Sequence, residues 1–209
     1  MSKTAITTTA LIILLLATAL RFHQLEAQSF WNDEGNSARL SERSIPLIIE
    51  GTASDIHPPL YYLLLRGWRE LVGETEFGLR SLSAFAGVLL VAETLRLGRF
   101  VSQRPAVWLM AGGLTTVSPP LIYYSQETRM YMLLPLLATL STLLLLVYLV
   151  QARQSSGLGK PSRYGMQTTN RMYGQVSDLP LLTAYTLPLP AGLSHPYNNP
   201  LIILIHAAT

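Results

Sequence analysis

The stretch His57-Pro58-Pro59-Leu60-Tyr61-Tyr62-Leu63-Leu64-Leu65-Arg66-Gly67-Trp68-Arg69-Glu70-Leu71-Val72 decides the topology of this chain. Its uninterrupted apolar part falls short of the roughly 17–25 residues a spanning helix needs, and Arg66, Arg69 and Glu70 would lie at membrane depth if it crossed. The two prolines fix the start of a helix, and Tyr61 and Tyr62 suit a membrane–water boundary. Residues 57–72 therefore read as an amphipathic interfacial or re-entrant helix on the external side rather than a span.

The composition supports a membrane setting for that helix. The 209 residues are 49% hydrophobic and 13% charged, against roughly 25% charged in an ordinary soluble domain. The mean hydropathy is +0.32. The net charge of +3 comes from scattered Lys and Arg, many at the ends of apolar runs, which is the flanking pattern of membrane helices and argues against nucleic acid. With no Cys there is no disulfide framework and no thiolate metal site, so a metal would rely on carboxylates and the four His.

Residues 5–20 form an uncharged first span, provided the Thr hydroxyls turn back onto the backbone. The rival reading is a signal peptide, with Lys3 as its basic start and Ala17-Thr18-Ala19 as a cleavage-like site. Both place residues 21–56 outside, as a loop carrying short helices, one of them starting at Ser44-Ile45-Pro46. Residues 81–97 form the second span, with Glu93 inside it and Arg80, Arg96 and Arg99 snorkelling at its ends. The third, residues 106–124, passes through Ser118-Pro119-Pro120. The fourth is residues 130–150. If residues 57–72 do not cross, the connector with Arg99 and Arg104 is cytoplasmic, in line with the positive-inside bias, and Asp33, His57 and the turn Gln126 to Arg129 share the external face. Residues 154–209 are rich in Ser, Gly, Pro, Thr and Asn and read as a non-spanning tail, disordered or frame-shifted.

Three clusters on that external face carry chemistry-bearing side chains. Asp33 and Glu34 lie in Phe30-Trp31-Asn32-Asp33-Glu34-Gly35-Asn36-Ser37, and their ordinary role would be to cap a surface helix. Asp55-Ile56-His57 presents an acid and an imidazole before Pro-Pro, with Tyr61 beyond. Tyr123-Tyr124-Ser125-Gln126-Glu127-Thr128-Arg129-Met130-Tyr131 sets a carboxylate and a guanidinium between two apolar runs. Glu127 there is suited to contact a divalent metal or orient a substrate, and Arg129 to grip a phosphate through its planar fork; tying two helix ends together is the alternative for both.

In this order, Trp-Asn-Asp-Glu, His-Pro-Pro-Leu-Tyr-Tyr, Leu-Arg-Ser-Leu-Ser-Ala and Tyr-Ser-Gln-Glu-Thr-Arg-Met-Tyr resemble the amino-terminal half of polytopic GT-C glycosyltransferases. The resemblance is to the bacterial branch with dolichyl-phosphate-mannose-type protein mannosyltransferases and lipid A aminoarabinose transferases, and it runs from Thr4 to about Arg153. It implies an all-α multi-pass fold in a bacterial inner membrane. It also implies inverting transfer of a sugar from a polyprenyl phosphate to a lipid, glycan or protein acceptor on the non-cytoplasmic face. By motif, Asp33 matches the presumed general base with Glu34 beside it, and His57, Asp55, Tyr61 and Arg129 fall where substrate and phosphate are bound. Glu127 falls where distant relatives hold a metal. His57 stands where aminoarabinose-type relatives carry Lys. Family members continue with further spans, whereas this chain loses membrane character after Arg153, so the expectation is a truncated product. The alternative is an inactive remnant or a non-enzymatic multispan protein.

Overall fold

The computed structural model describes residues 2–53 and 57–155, with side chains through residue 152. Every regular element among them is helical: α1 (Lys3–Phe22), α2 (Asn32–Ser41), α3 (Ile45–Ala53), α4 (Leu60–Val72), α5 (Glu76–Val101), α6 (Pro105–Val117), α7 (Pro119–Ser125) and α8 (Leu133–Ser155), with a 3-10 turn at Met130–Met132. The chain divides into one unit ending at Ser141 and a second beginning at Thr142. The first carries the site. Of the second, the described residues are the remainder of α8. Asp55 and the tail from residue 156 onward lie outside the described residues.

Two stretches, Lys3–Phe22 and Met130–Ala152, are long and apolar enough to cross a bilayer. In α1 the threonines do what a hydrocarbon environment demands: Thr7, Thr9 and Thr18 donate to the carbonyls of Lys3, Ala5 and Leu14 at 3.2, 2.8 and 2.9 Å, hiding each hydroxyl against its own helix. Ser2 caps the first turn by accepting from the Ala5 amide at 3.1 Å. By length α5 could also span, at about 1.5 Å per residue, but Arg80, Glu93, Arg96 and Arg99 interrupt its apolar character.

α1, α5 and α6 pack around Ala17, Val91, Leu95, Trp108 and Leu109. The short helices α2, α3 and α4 form a second layer around Ile48, Tyr61, Tyr62 and Leu65, joined to the start of α5 through Leu79. At 13 residues, α4 is about 20 Å long, short of the roughly 30 Å hydrocarbon thickness. Its charges serve the neighbouring short helices. Arg66 donates to the carbonyls of Glu42 and Arg43 just past the carboxyl end of α2, where a cation is favoured by the helix dipole. Arg69 pairs with Glu42 at 3.7 Å and with Glu74.

Residues 106–124 depart from the single spanning helix expected: α6 ends at Val117 and α7 restarts at Pro119. Pro119 and Pro120 carry no amide N–H, so the carbonyls four residues earlier, on Thr115 and Thr116, lose their helical donors. The replacement is Arg21. Its guanidinium is fully buried and donates to the Thr116 carbonyl at 3.3 Å and the Thr115 carbonyl at 3.1 Å. Arg21 thus belongs to the last turn of α1 and not to the external loop where its charge suggested it. Gly87 on α5 makes room for it: a Cβ there would lie 2.7 Å from Arg21 Nε and 2.9 Å from its Cδ.

Candidate functional site

The loop after α1, the first turn of α2, the start of α5 and the turn after α7 converge on two arginine–carboxylate pairs. The α2 helix begins at Asn32 and places Asp33 and Glu34 in its first turn, where the exposed amides and the dipole favour negative charge. Successive helical residues point about 100° apart, so the two acids meet different partners.

Glu34 is 1% exposed. Its Oε1 accepts from Arg80 Nε at 2.9 Å and from the Thr128 amide at 2.7 Å, and its Oε2 accepts from Arg80 Nη2 at 2.6 Å. The pair is bidentate, the strongest form of carboxylate recognition. Arg80 also donates through Nη1 to the carbonyls of Leu25 and Gln28, both at 2.6 Å, and through Nη2 to the Ser29 carbonyl at 3.4 Å. All five guanidinium N–H groups are thereby engaged. The Phe30 ring lies 5.2 Å from the guanidinium carbon. Arg80 thus ties the α1–α2 loop to α5 as well as neutralising Glu34; the sequence presented it as a snorkelling flank of the second span and as part of the motif Leu-Arg-Ser-Leu-Ser-Ala, without a partner. The available signal was its place in Leu79-Arg80-Ser81-Leu82-Ser83-Ala84, where an arginine precedes small residues that permit close packing.

Asp33 is held differently. Its side chain is 39% exposed, and Oδ2 stands 3.7 Å from Arg129 Nη2, a loose ion pair rather than a hydrogen bond. Arg129 Nη1 donates to the Asp33 carbonyl and to Ser37 Oγ, each at 3.3 Å. The Tyr131 ring lies 5.5 Å from its guanidinium carbon. The Arg129 side chain is only 6% exposed, and its buried Nε has no hydrogen-bond partner. Asp33 is the carboxylate open to solvent, beside a largely desolvated cation.

The turn Gln126 to Arg129 ties the end of α1 to α2. Gln126 donates to the carbonyls of Leu20 and His23 at the end of α1, both at 3.0 Å. The Thr128 amide holds Glu34, and Arg129 holds the first turn of α2. Glu127 is 7% exposed; burial is the main cause that raises its pKa, nearby Glu34 adds to it, and the Tyr123 hydroxyl pulls the other way. Tyr61 lies nearby, 3% exposed, and burial pushes its phenol up so that it stays protonated. His57 is partly buried ahead of α4. Among the described residues no three His, Asp or Glu side chains gather into a metal-binding group.

A cavity of about 260 Å³ opens beside Glu34 and Arg80, lined by Trp31, Gln24, Gln28, Tyr123 and Glu127. Gln24 stands at its edge with φ of 56°, the left-handed region that non-glycine residues rarely occupy. No signal in the sequence marked Gln24 or Gln28, because their place depends on how the α1–α2 loop folds over Arg80. No protein-family model, curated protein or solved structure matches this chain.

Proposed function

We propose that this chain is a multi-pass membrane glycosyltransferase of GT-C type that takes a sugar from a polyprenyl phosphate and passes it to a lipid, glycan or protein acceptor on the non-cytoplasmic face of a bacterial inner membrane. The observation that carries the reading is the inequality of the two adjacent acids: Glu34 is locked by Arg80, whereas Asp33 is half-exposed and 3.7 Å from Arg129. An inverting displacement needs one accessible base and a stabilised leaving phosphate, and no covalent nucleophile. The acceptor oxygen attacks the anomeric carbon, its proton passes to Asp33, and the bond from that carbon to the phosphate oxygen breaks with its electron pair leaving on the polyprenyl phosphate. Arg129 is the cation nearest the base and stabilises that charge. Two apolar helices of spanning length in the described chain support the membrane setting that a lipid-borne donor requires.

The test is donor consumption: the purified chain in phospholipid vesicles is given a polyprenyl phosphate carrying a radiolabelled hexose, and label released from the carrier is followed. Turnover is expected. A second reading, a non-catalytic multispan scaffold, is favoured by the full engagement of Arg80 in holding loop carbonyls and Glu34. That reading expects no release above a vesicle-only control.

A further inference from the structure

At the end of the helices remote from Asp33, charge is treated in the opposite way. Around the site the arginines are neutralised from within the chain: Arg66, Arg69, Arg80 and Arg129 each face a carboxylate. From Arg80, α5 runs about 28 Å, at 1.5 Å per residue, before its last turn presents Arg99. Arg104 stands across the short turn at the start of α6, and Lys3 opens α1. The apolar cluster shared by α1, α5 and α6 brings the three to one level. Leu95 lies one turn before Arg99, Trp108 one turn after Arg104, and Ile6, about a turn after Lys3, packs against both. Gly98 permits the close approach, since a Cβ there would lie 2.8 Å from Trp108 Cβ.

All three cations are exposed, and among the described residues their side chains meet neither a carboxylate nor a hydrogen-bond acceptor. No Asp or Glu occurs in residues 2–25 or 94–126. The acid nearest along α5 is Glu93, which interacts with Arg96. Helix stability accounts for Arg99, which suits the carboxyl end of α5. It does not account for Lys3 and Arg104, which stand at the amino ends of α1 and α6, where the dipole disfavours a cation. Exposed apolar side chains adjoin these charges: Val101, 67% exposed, lies between Arg99 and Arg104, and Val107 and Met110, 49% and 67% exposed, continue the surface along α6.

We infer that Lys3, Arg99 and Arg104 form a docking site for the headgroup of an anionic phospholipid, whose acyl chains lie along Val101, Val107 and Met110. The unpaired positive charge supplies the attraction, each cation near an anionic surface being worth about fivefold in affinity. The adjoining apolar surface selects a lipid over a soluble phosphate. The site rests on the membrane setting of α1 and not on sugar transfer.

The experiment is native mass spectrometry of the full chain in detergent, titrated with phosphatidylglycerol or phosphatidylcholine, with inorganic phosphate as competitor. Wild type is expected to retain phosphatidylglycerol about tenfold or more in preference to phosphatidylcholine, and inorganic phosphate at equal concentration is expected not to displace it. The double change Arg99→Gln and Arg104→Gln should weaken phosphatidylglycerol binding about 25-fold, whereas Arg99→Lys with Arg104→Lys keeps most of it because the charge is preserved. Lys3→Gln should weaken it about fivefold while the unfolding temperature without lipid stays level or rises, because a cation leaves a helix amino end; that loss cannot be put down to misfolding. Arg39→Gln, at an exposed arginine of α2, should change nothing. Equal retention of the two lipids, undiminished binding by the glutamine variants, an equal loss in the lysine pair or in Arg39→Gln, or displacement by inorganic phosphate would overturn the inference. Lipid preference without donor release in the vesicle assay leaves the lipid site standing and removes the transferase reading. Donor release without lipid preference does the reverse.

Discussion

Glu34 and Asp33 are consecutive residues in one helical turn, each facing an arginine, yet they occupy opposite physical regimes. Glu34 is desolvated, bidentate and saturated with donors; Asp33 is half in solvent and separated from its cation by 3.7 Å. Desolvating two charges is costly, and their attraction repays it only where the geometry is tight and the remaining hydrogen-bonding capacity is filled, as it is around Arg80. The Asp33 contact meets none of those conditions and contributes little to stability. The difference teaches which acid is free to move a proton: the locked one positions the loop and helix that present the open one.

The largest effect should come from the locked pair. Arg80→Ala leaves Glu34 buried without its cation and strips donors from three loop carbonyls, and breaking such a pair by removing one partner costs about 3–5 kcal/mol. Thermal unfolding in detergent followed by tryptophan fluorescence should show a large loss; a loss below that seen for Asp33→Asn would break the comparison. Arg21→Met comes next. It leaves the Thr115 and Thr116 carbonyls without donors at the Pro119 break, at about 1–3 kcal/mol for a buried group left unsatisfied, and hydrogen exchange at the end of α6 should rise. The Asp33→Asn change should cost less than the loss of Arg80, because the Asp33–Arg129 contact is loose at 3.7 Å and its carboxylate is partly in solvent.

The smallest effect sharpens the electrostatics. Burial raises the Glu127 pKa above its ordinary 4.5, so the folded chain holds that proton more tightly than the unfolded one. Its contribution to stability is fully present below the unfolded value and is lost as pH rises through the folded one. Stability measured upward from about pH 4.5 should therefore decline more steeply for wild type than for Glu127→Gln; parallel profiles would show that Glu127 is not the group responsible.

Much of the fold was legible because apolar runs and helix-start signals are local. The first apolar helix, long enough to cross a bilayer, its back-bonded threonines, the helix begun at Ile45-Pro46 and the short, charged α4 all follow from spacing and length. The break at Val117 was written in Ser118-Pro119-Pro120, but apolarity on both sides of it read as one span. That the freed carbonyls would be met by Arg21, some 95 residues away in sequence, depends on α1 packing against α6, which no local pattern encodes. The site was legible as residue types, not as roles. Asp33, Glu34, Glu127 and Arg129 stood out by motif, while the division between locked and open acid required the three-dimensional path of Arg80.

The most direct test of the central claim compares donor consumption by three chains in identical vesicles: wild type, Asp33→Asn and Glu70→Gln. The account predicts release of hexose from polyprenyl phosphate by wild type, a fall of about 10²–10⁴-fold for Asp33→Asn, the range expected for a lost general base, and an unfolding temperature for that variant close to wild type. The Glu70→Gln chain, altered at an exposed acid on α4 away from the site, should keep a rate much nearer to wild type. Undiminished release by Asp33→Asn, or no release by the wild-type chain, would contradict it.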